Sequence, residues 1–417
     1  MLLKRLNQLE QEVGELRAKL SAVEAAQQDQ QIQSEPAAQV NDGNSITWKG
    51  APEFKSDEGW RFKPRGRLQF DAASLSSLPP AVDVPGEGFS NEARRIRLGA
   101  QGNMPGGFGF KFEVDFLNDI VITDAYFDYR AGPVKLVIGH HNSYQGLEEL
   151  SSSNDTSFIE RSAWTDAFGF ERKIGISGIY KVGDFLMQGG VFTDNLDDLS
   201  DDNDSIGFDA RVVAAPKLGD AQLHFGGSYH WRDLADSINT IRYRQRPLEH
   251  SIDTRFVNTG NISHAVEELT YGLETAVIAG RLHIAAETHW ATITREGFAD
   301  PTFFGGSVEA GFFLTDDTRV YKDGIFRNIN VRRPVSDGGI GAWQVNLRFD
   351  QLDLVDAGVI GGVQDAYMAS LIWTPVDHVR FLLNYSHMEY SDAASIVDGA
   401  PREYGIDVFG ARAQLDF

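Results

Sequence analysis

Three arginines at alternate positions, Arg242, Arg244 and Arg246 in "TIRYRQRPLE", stand out in a chain whose 60 acidic residues exceed its 38 basic ones. In extended backbone, residues at i, i+2 and i+4 share one side at intervals of about 7 Å, so the three guanidiniums form a column. Each is a forked set of donors suited to phosphate or carboxylate oxygens. Their repulsion has to be offset by solvent, by acids or by a ligand. Two readings follow: a solvated edge that pairs with lipopolysaccharide phosphates, or a column folded inward over a pore mouth, where Arg and Lys select anions. We adopt the second as the expectation.

Further cations sit at the same spacing. In "WRFKPRGRLQF", Trp60, Phe62, Leu68 and Phe70 occupy one parity, and Arg61, Lys63, Arg65 and Arg67 the other. If the aromatic face meets lipid, all four cations face a lumen. "EARRIRLGAQ" turns Ile96, Leu98 and Ala100 outward with Arg95 and Arg97 inward. Arg94 breaks the parity and reaches the lumen only if the strand bulges or begins there.

Other chemistry is weakly represented. The chain has no nucleophile-elbow serine, no phosphate-binding glycine loop and no zinc-ligand pattern, so neither an enzyme nor a cofactor is expected. His140 and His141 in "GHHNS" are adjacent, and neighbours on a strand point to opposite faces. The acidic run Asp194 to Asp204 lacks the glycine and terminal glutamate of an EF-hand loop and is expected to be a solvated external loop. An acidic net charge of -22 also argues against nucleic acid as a partner.

The elements that position these cations are strands. "FGFKFEVDF" sets Phe108, Phe110, Phe112, Val114 and Phe116 against Lys111, Glu113 and Asp115, and the closing "FGARAQLDF" sets Phe409, Ala411, Ala413, Leu415 and Phe417 against Arg412, Gln414 and Asp416. No run approaches the roughly 18 apolar residues of a spanning helix, but a barrel strand crosses a bilayer in about 10 tilted residues with only alternate ones apolar. About sixteen strands are expected, starting near residues 60, 93, 108, 121, 133, 173, 184, 205, 220, 268, 281, 305, 340, 363, 379 and 404. Connections alternate between long ones, at 72–92, 141–172, 194–204, 232–267 and 391–403, and tight turns such as "AGP", "VGD", "AGR" and "TPVDH". Two depart from the rule: "LND" near 117–119 is short, and the turn-side stretch 315–339 is long. A soluble sandwich has no reason to segregate loop lengths, whereas an outer-membrane barrel does. The expected fold is therefore all-β, a transmembrane antiparallel barrel over residues 60–417. An even strand count leaves both termini on the periplasmic side.

The N-terminus follows another period. Leu6, Val13 and Leu20 fall at heptad position a, and Leu2, Leu9, Leu16 and Val23 at d. The g and e pairs Arg5 with Glu10, Glu12 with Arg17, and Lys19 with Glu24 are opposite in sign. Residues 1–27 are thus expected to form a periplasmic α-helical coiled coil within an oligomer, and residues 28–59 a flexible linker rich in Gln, Ala and Ser. The absence of cysteine suits an oxidising compartment.

With these features placed, "GRLQFD", "NEARRIRLGAQG", "GLEELSSSNDTSFIER", "YHWRDLADSINTIRYRQR", "GAWQVNLRFDQLDL" and the final "FGARAQLDF" resemble the phosphate- and polyphosphate-selective porins of Gram-negative outer membranes. The resemblance covers nearly all of residues 60–417. It implies a homotrimer of sixteen-stranded barrels in the outer membrane, in contact with lipid and lipopolysaccharide, passing small anions such as phosphate. By the same resemblance Arg67, Arg94 and Arg95 match a central anion site, and Arg161 an arginine of an inward-folded third loop near 141–172. Arg242, Arg244 and Arg246 match an arginine ladder descending to the constriction. The chain departs from the pattern at Glu149, where phosphate-selective members carry a lysine, and at Val137, where a basic residue can occur. These departures leave a channel for small organic acids, or a structural barrel anchoring the membrane through the coiled coil, as alternatives to a phosphate channel.

Overall fold

The computed structural model describes residues 44–417 other than 80–81, 83–86, 118, 199, 201 and 395–398. The heptad segment 1–27 and the first part of the expected linker lie outside the described residues. The unit from Ile46 to Phe417 is built on one closed antiparallel barrel.

Sixteen strands form its wall. The first eight are β1 (Arg61–Ser76), β2 (Ser90–Asn103), β3 (Phe108–Asp115), β4 (Val121–Ala131), β5 (Val134–Asn142), β6 (Arg172–Val182), β7 (Phe185–Phe192) and β8 (Ile206–Ala214). The second eight are β9 (Ala221–Asp233), β10 (Ala265–Ala279), β11 (Leu282–Arg295), β12 (Thr302–Phe313), β13 (Ala342–Asp356), β14 (Val359–Val376), β15 (Val379–Ser391) and β16 (Tyr404–Asp416). The last strand pairs back onto the first, from Asp407 with Ser76 to Asp416 with Arg67, so the sixteen-stranded wall closes on itself.

Alternation sorts the side chains as a bilayer-spanning wall requires. Phe70, Phe112, Phe127, Phe225, Leu347 and Phe409 are exposed on the outside, while Gln69, Asp71, Arg211, Glu274, Arg348 and Arg412 on the opposite parity are buried inside. At the closure, the terminal Phe417 exchanges backbone hydrogen bonds with Gly66, each at 3.1 Å. A Cβ on Gly66 would overlap the Phe417 ring, so only glycine lets that ring lie over β1.

Loop lengths are segregated. Long connections at 77–89, 143–171, 193–205, 234–264 and 392–403 share one end with the short ones at 116–120, 296–301 and 357–358. The other end carries two-residue turns such as 132–133, 183–184, 280–281 and 377–378, and one long segment, 314–341. Two segments fold into the barrel, one from each end. The long-loop arm, 143–171, includes α1 (Leu147–Leu150) and α2 (Ala163–Ala167), whereas the turn-end arm, 314–341, carries a hairpin of Val320–Lys322 with Ile325–Arg327.

The two longest loops share an apolar core. Phe158, Trp164, Phe168 and Phe170 of the first arm pack with Tyr243, Leu248, Ile252 and Phe256 of 234–264 against Leu352, Leu354, Met388 and Ile406 of the wall. Burying each such side chain contributes about 1.5–3 kcal/mol, which ties both loops to the wall β13–β16.

Part of the stretch expected to be linker is structured instead. Asn44–Lys49 and Ala51–Ser56 form a hairpin whose second strand pairs with β1 through Phe54 with Phe62 and Lys55 with Arg61. The cause is local: Glu53 is buried, held by Arg61 and by Lys55 at 2.9 Å. The composition of 28–59 as a whole masked this one alternating segment.

Candidate functional site

The lumen is a succession of chambers defined by shared residues. At the long-loop end lies a vestibule of about 1530 Å³, lined among others by Lys173, Arg232, Arg242, Arg244 and Arg255. It shares Asp166, Gly169 and Glu171 with a narrower chamber of about 700 Å³ bounded by Arg94, Arg95, Glu149, Glu160, Arg161, Arg246 and Glu249. Arg95 and Arg161 in turn line a third chamber of about 1460 Å³, which also receives Arg65, Arg67, Arg97, Lys111 and Arg172. An antechamber of about 1180 Å³ at the turn end follows, bordered by the 132–133 turn. Glu149, Glu160 and Arg161 of the first arm line the second chamber, which makes that stretch of the lumen the candidate constriction.

The wall holds this arm with cations. Arg348 bonds Glu148 at 2.6 Å and Glu309 at 2.7 Å. Arg380 donates to the Asn154 carbonyl and to that of Thr156 at 2.9 Å, and Arg412 donates to the Ile159 carbonyl at 2.5 Å. Glu287 of β11 accepts the N–H groups of Leu147 at 2.7 Å and Glu148 at 2.8 Å, satisfying donors at the start of α1. Arg319 of the second arm donates to the Asp155 carbonyl. Four inward arginines are thereby engaged in carrying the loop, and they sit behind it, away from the open path.

The sequence-predicted residues separate into distinct environments. Arg67 donates to Ser153 Oγ at 2.6 Å and Ser152 Oγ at 3.2 Å, Arg95 to Gln69 Oε1 at 2.8 Å, and Arg65 to Gln101 Oε1 at 3.0 Å. All four acceptors are neutral, so none of these hydrogen bonds offsets a guanidinium charge, and the acids lining the third chamber are Glu113 and Asp124. Arg67 Nε is buried and has no partner among the described residues.

Arg94 reaches the lumen through a β-bulge. Gln69 pairs with Arg95 and Phe70 with Ala93, leaving Arg94 as the extra residue. It then grips Glu160 with Nε at 2.9 Å and Nη2 at 3.3 Å. Glu160 also meets Arg412 at 2.9 Å, and this crowd of cations holds its carboxyl well below the usual range despite burial. Arg161 donates to the carbonyls of Glu148, Glu149 and Ser151 and pairs with Glu149 at 3.5 Å. Burial pushes the Glu149 carboxyl up, partly offset by Arg161. Arg61 pairs with Glu53 in the hairpin, and Lys63 is half-buried on the inward face of β1.

Arg242, Arg244 and Arg246 lie on the less buried side of their segment. Tyr243 and Gln245 are buried between Arg242, Arg244 and Arg246, which border successive chambers: Arg242 and Arg244 the vestibule, Arg246 the constriction. Arg242 donates to Asn258 Oδ1 at 2.9 Å, and Arg246 pairs with the exposed Asp253 at 3.0 Å. Arg255 was not singled out from the sequence. Burial, together with Arg246 and Arg244 alongside, lowers its pKa to about 10, and its Nε and Nη1 have no partner among the described residues.

Asp194, from the acidic run, bonds Arg232 and, at 2.9 Å, Asn203. His141 bonds Ser177 Oγ at 3.2 Å. Among the described residues, no group of three His, Cys, Asp or Glu is placed to hold a metal.

The family model described as phosphate-selective porin O and P matches residues 62–417. The chain belongs to that porin family. A Caulobacter vibrioides protein of uncharacterised function is 44% identical over 393 residues, covering 92% of this chain and 79% of the relative. Porin O of Pseudomonas aeruginosa is 25% identical over 357 residues, covering 77% and 80%. Among solved structures, the anion-selective porin from Comamonas acidovorans superposes with a TM-score of 0.57 at 11% identity, covering 86% of this chain and 100% of that one. This porin is accordingly a channel-type outer-membrane barrel.

Proposed function

We propose that this porin is a passive, anion-preferring channel for small oxyanions, phosphate and polyphosphate among them, working as a homotrimer with its N-terminus in the periplasm. One observation carries the reading: Arg65, Arg67 and Arg95 converge on the chamber beyond the constriction with neutral hydrogen-bond partners, and the cations lining that chamber outnumber its two acids, Glu113 and Asp124. Unneutralised guanidiniums in a confined lumen raise the local anion concentration and repel cations. The arginine column and Arg255 extend that field to the vestibule.

The fixed acids temper it. Glu149 and Glu160 neutralise Arg161 and Arg94, so the constriction is a mixed-charge passage and the selective step falls to Arg67 and Arg95. The family match and the neutral settings of those two arginines support an anion channel over a plug that merely anchors the membrane.

Reversal potentials of the purified full-length protein across a salt gradient test this. The wild type is expected to favour anions, and Arg67→Ala with Arg95→Ala to lose most of that preference. Cation selectivity in the wild type, or anion selectivity untouched by the double change, overturns the proposal.

A further inference from the structure

The turn end of the lumen differs in chemistry from the rest. Five residues line both the third chamber and the antechamber and so form the neck between them: Leu150, Ile179, Ile325, Lys135 and Arg327. Three of the five are aliphatic, at a level where an aqueous lumen ordinarily presents polar groups. Ile179 shares the inward parity of Lys173 and Ser177 on β6. Val137, already noted as a departure, lines the chamber above, and Leu186 lines the antechamber below.

The neck is also rigidly built. Its hairpin is fixed to the wall by Arg211 on the Gly324 carbonyl at 2.8 Å and by Lys181 on Asp323 at 2.8 Å. It is fixed to the first arm by Phe326 N–H on Ser151 Oγ at 3.2 Å. Ile325 and Arg327 are therefore held in place. The Arg327 side chain makes no ion pair or hydrogen bond among the described residues, and its acidic neighbours are Asp155 and Asp323. Lys135 pairs with Asp128 at 3.2 Å and stands 5.6 Å from the Tyr126 ring.

Inorganic phosphate is hydrated on every side and gains nothing from aliphatic walls. An anion with an apolar body removes that body from water against them while its head meets the guanidinium. We propose that this neck is a second selectivity filter, favouring small organic anions that join a carboxylate or phosphate head to a short aliphatic or aromatic body over inorganic phosphate. The inference rests on the channel reading above and names the solute class that the turn end prefers.

Chloride current through the full-length protein in planar bilayers, with benzoate, acetate or inorganic phosphate added, tests it. Benzoate is expected to reduce the current at a concentration about tenfold below that of acetate or phosphate, reflecting burial of its ring. Arg327→Gln should raise the half-blocking concentration of benzoate and acetate alike, by about tenfold, through loss of a charge-assisted contact. Ile179→Ser, a second variant on a different element, should weaken the benzoate block and leave that of acetate in place. Equal block by benzoate and acetate in a conducting channel, or benzoate block unchanged in both variants, overturns the inference and leaves the anion channel standing. Absence of chloride conductance removes the channel reading and this inference together.

Discussion

Arg94 and Glu160 face each other as a fork on a carboxylate, Nε to Oε1 at 2.9 Å and Nη2 to Oε2 at 3.3 Å, and the bulge in β2 exists where Arg94 needs it. The pair fastens the tip of the first arm to the wall and at the same time hides one positive charge from the lumen. Its two partners therefore make opposite contributions to selectivity and equal ones to anchoring. Glu160→Gln is expected to shift the reversal potential toward anions, and Arg94→Ala toward cations. Each should lower thermal stability by about 1–3 kcal/mol, the scale for losing charge-assisted hydrogen bonds in a half-buried pair. Shifts of the same sign in the two variants would refute this division.

A second prediction concerns the arginines behind the arm. Arg380 donates to the Asn154 and Thr156 carbonyls and meets no open chamber. Arg380→Ala leaves the Thr156 carbonyl short of a donor, at about 1–3 kcal/mol, and the Asn154 carbonyl with Gln414 Nε2 at 3.1 Å in its place. The arm is expected to loosen, giving noisier and larger single-channel currents while anion preference is retained. A quiet channel of wild-type conductance with reversed selectivity would instead place Arg380 in the ion path.

Most of the wall was readable because the period-2 alternation is long and repeated: each of the sixteen strands begins within four residues of its expected start. The placement of Arg242, Arg244 and Arg246 on one side of their segment was readable for the same reason, since the buried Tyr243 and Gln245 alternate with them. The sequence could not reveal that Arg348, Arg380 and Arg412 hold loop carbonyls, because inward parity looks the same for a cation facing water and one facing a loop. Glu160 was missed altogether: its importance comes from three arginines brought together from β2 and β16, far apart in the chain. Arg94 was flagged by its broken parity, but only the pairing register identified the bulge. The hairpin before β1 was hidden by the polar composition around it.

Acidity should alter selectivity before it alters stability. Burial beside Asp71 and Glu160 pushes the Glu249 carboxyl well up, and burial raises Glu149, whereas Glu160 is held far down. A raised carboxyl binds its proton at pH values where the unfolded chain has already lost it, so its contribution to stability declines as pH rises through that window. Glu160 behaves oppositely: its contribution is complete above the ordinary Glu range of about 4.3 and is lost only as pH falls through its own depressed pKa. Lowering the pH from neutral is thus expected to remove negative charge from the constriction at Glu249 and Glu149 first. Reversal potentials should move toward anions while the melting temperature holds or rises. Glu249→Gln should flatten much of that pH dependence, and an unchanged profile in this variant would contradict the assignment.

The column at the mouth should act on arrival and leave the affinity of the inner arginines unaltered. Arg244 is exposed in the vestibule, and Arg255 stands near enough for the two charges to repel, so the pair supplies a field felt by approaching anions. Such a field is screened over about 10 Å at 0.1 M salt and reaches about 30 Å at 0.01 M. Arg244→Ala combined with Arg255→Ala is accordingly expected to lower anion conductance several-fold in dilute electrolyte, with the deficit closing at high salt. The measurement is single-channel conductance against salt concentration for wild type and variant. A deficit that stays constant across that range would mean that these arginines bind the permeating ion directly, and the funnel would have to be abandoned in favour of a fixed site at the mouth.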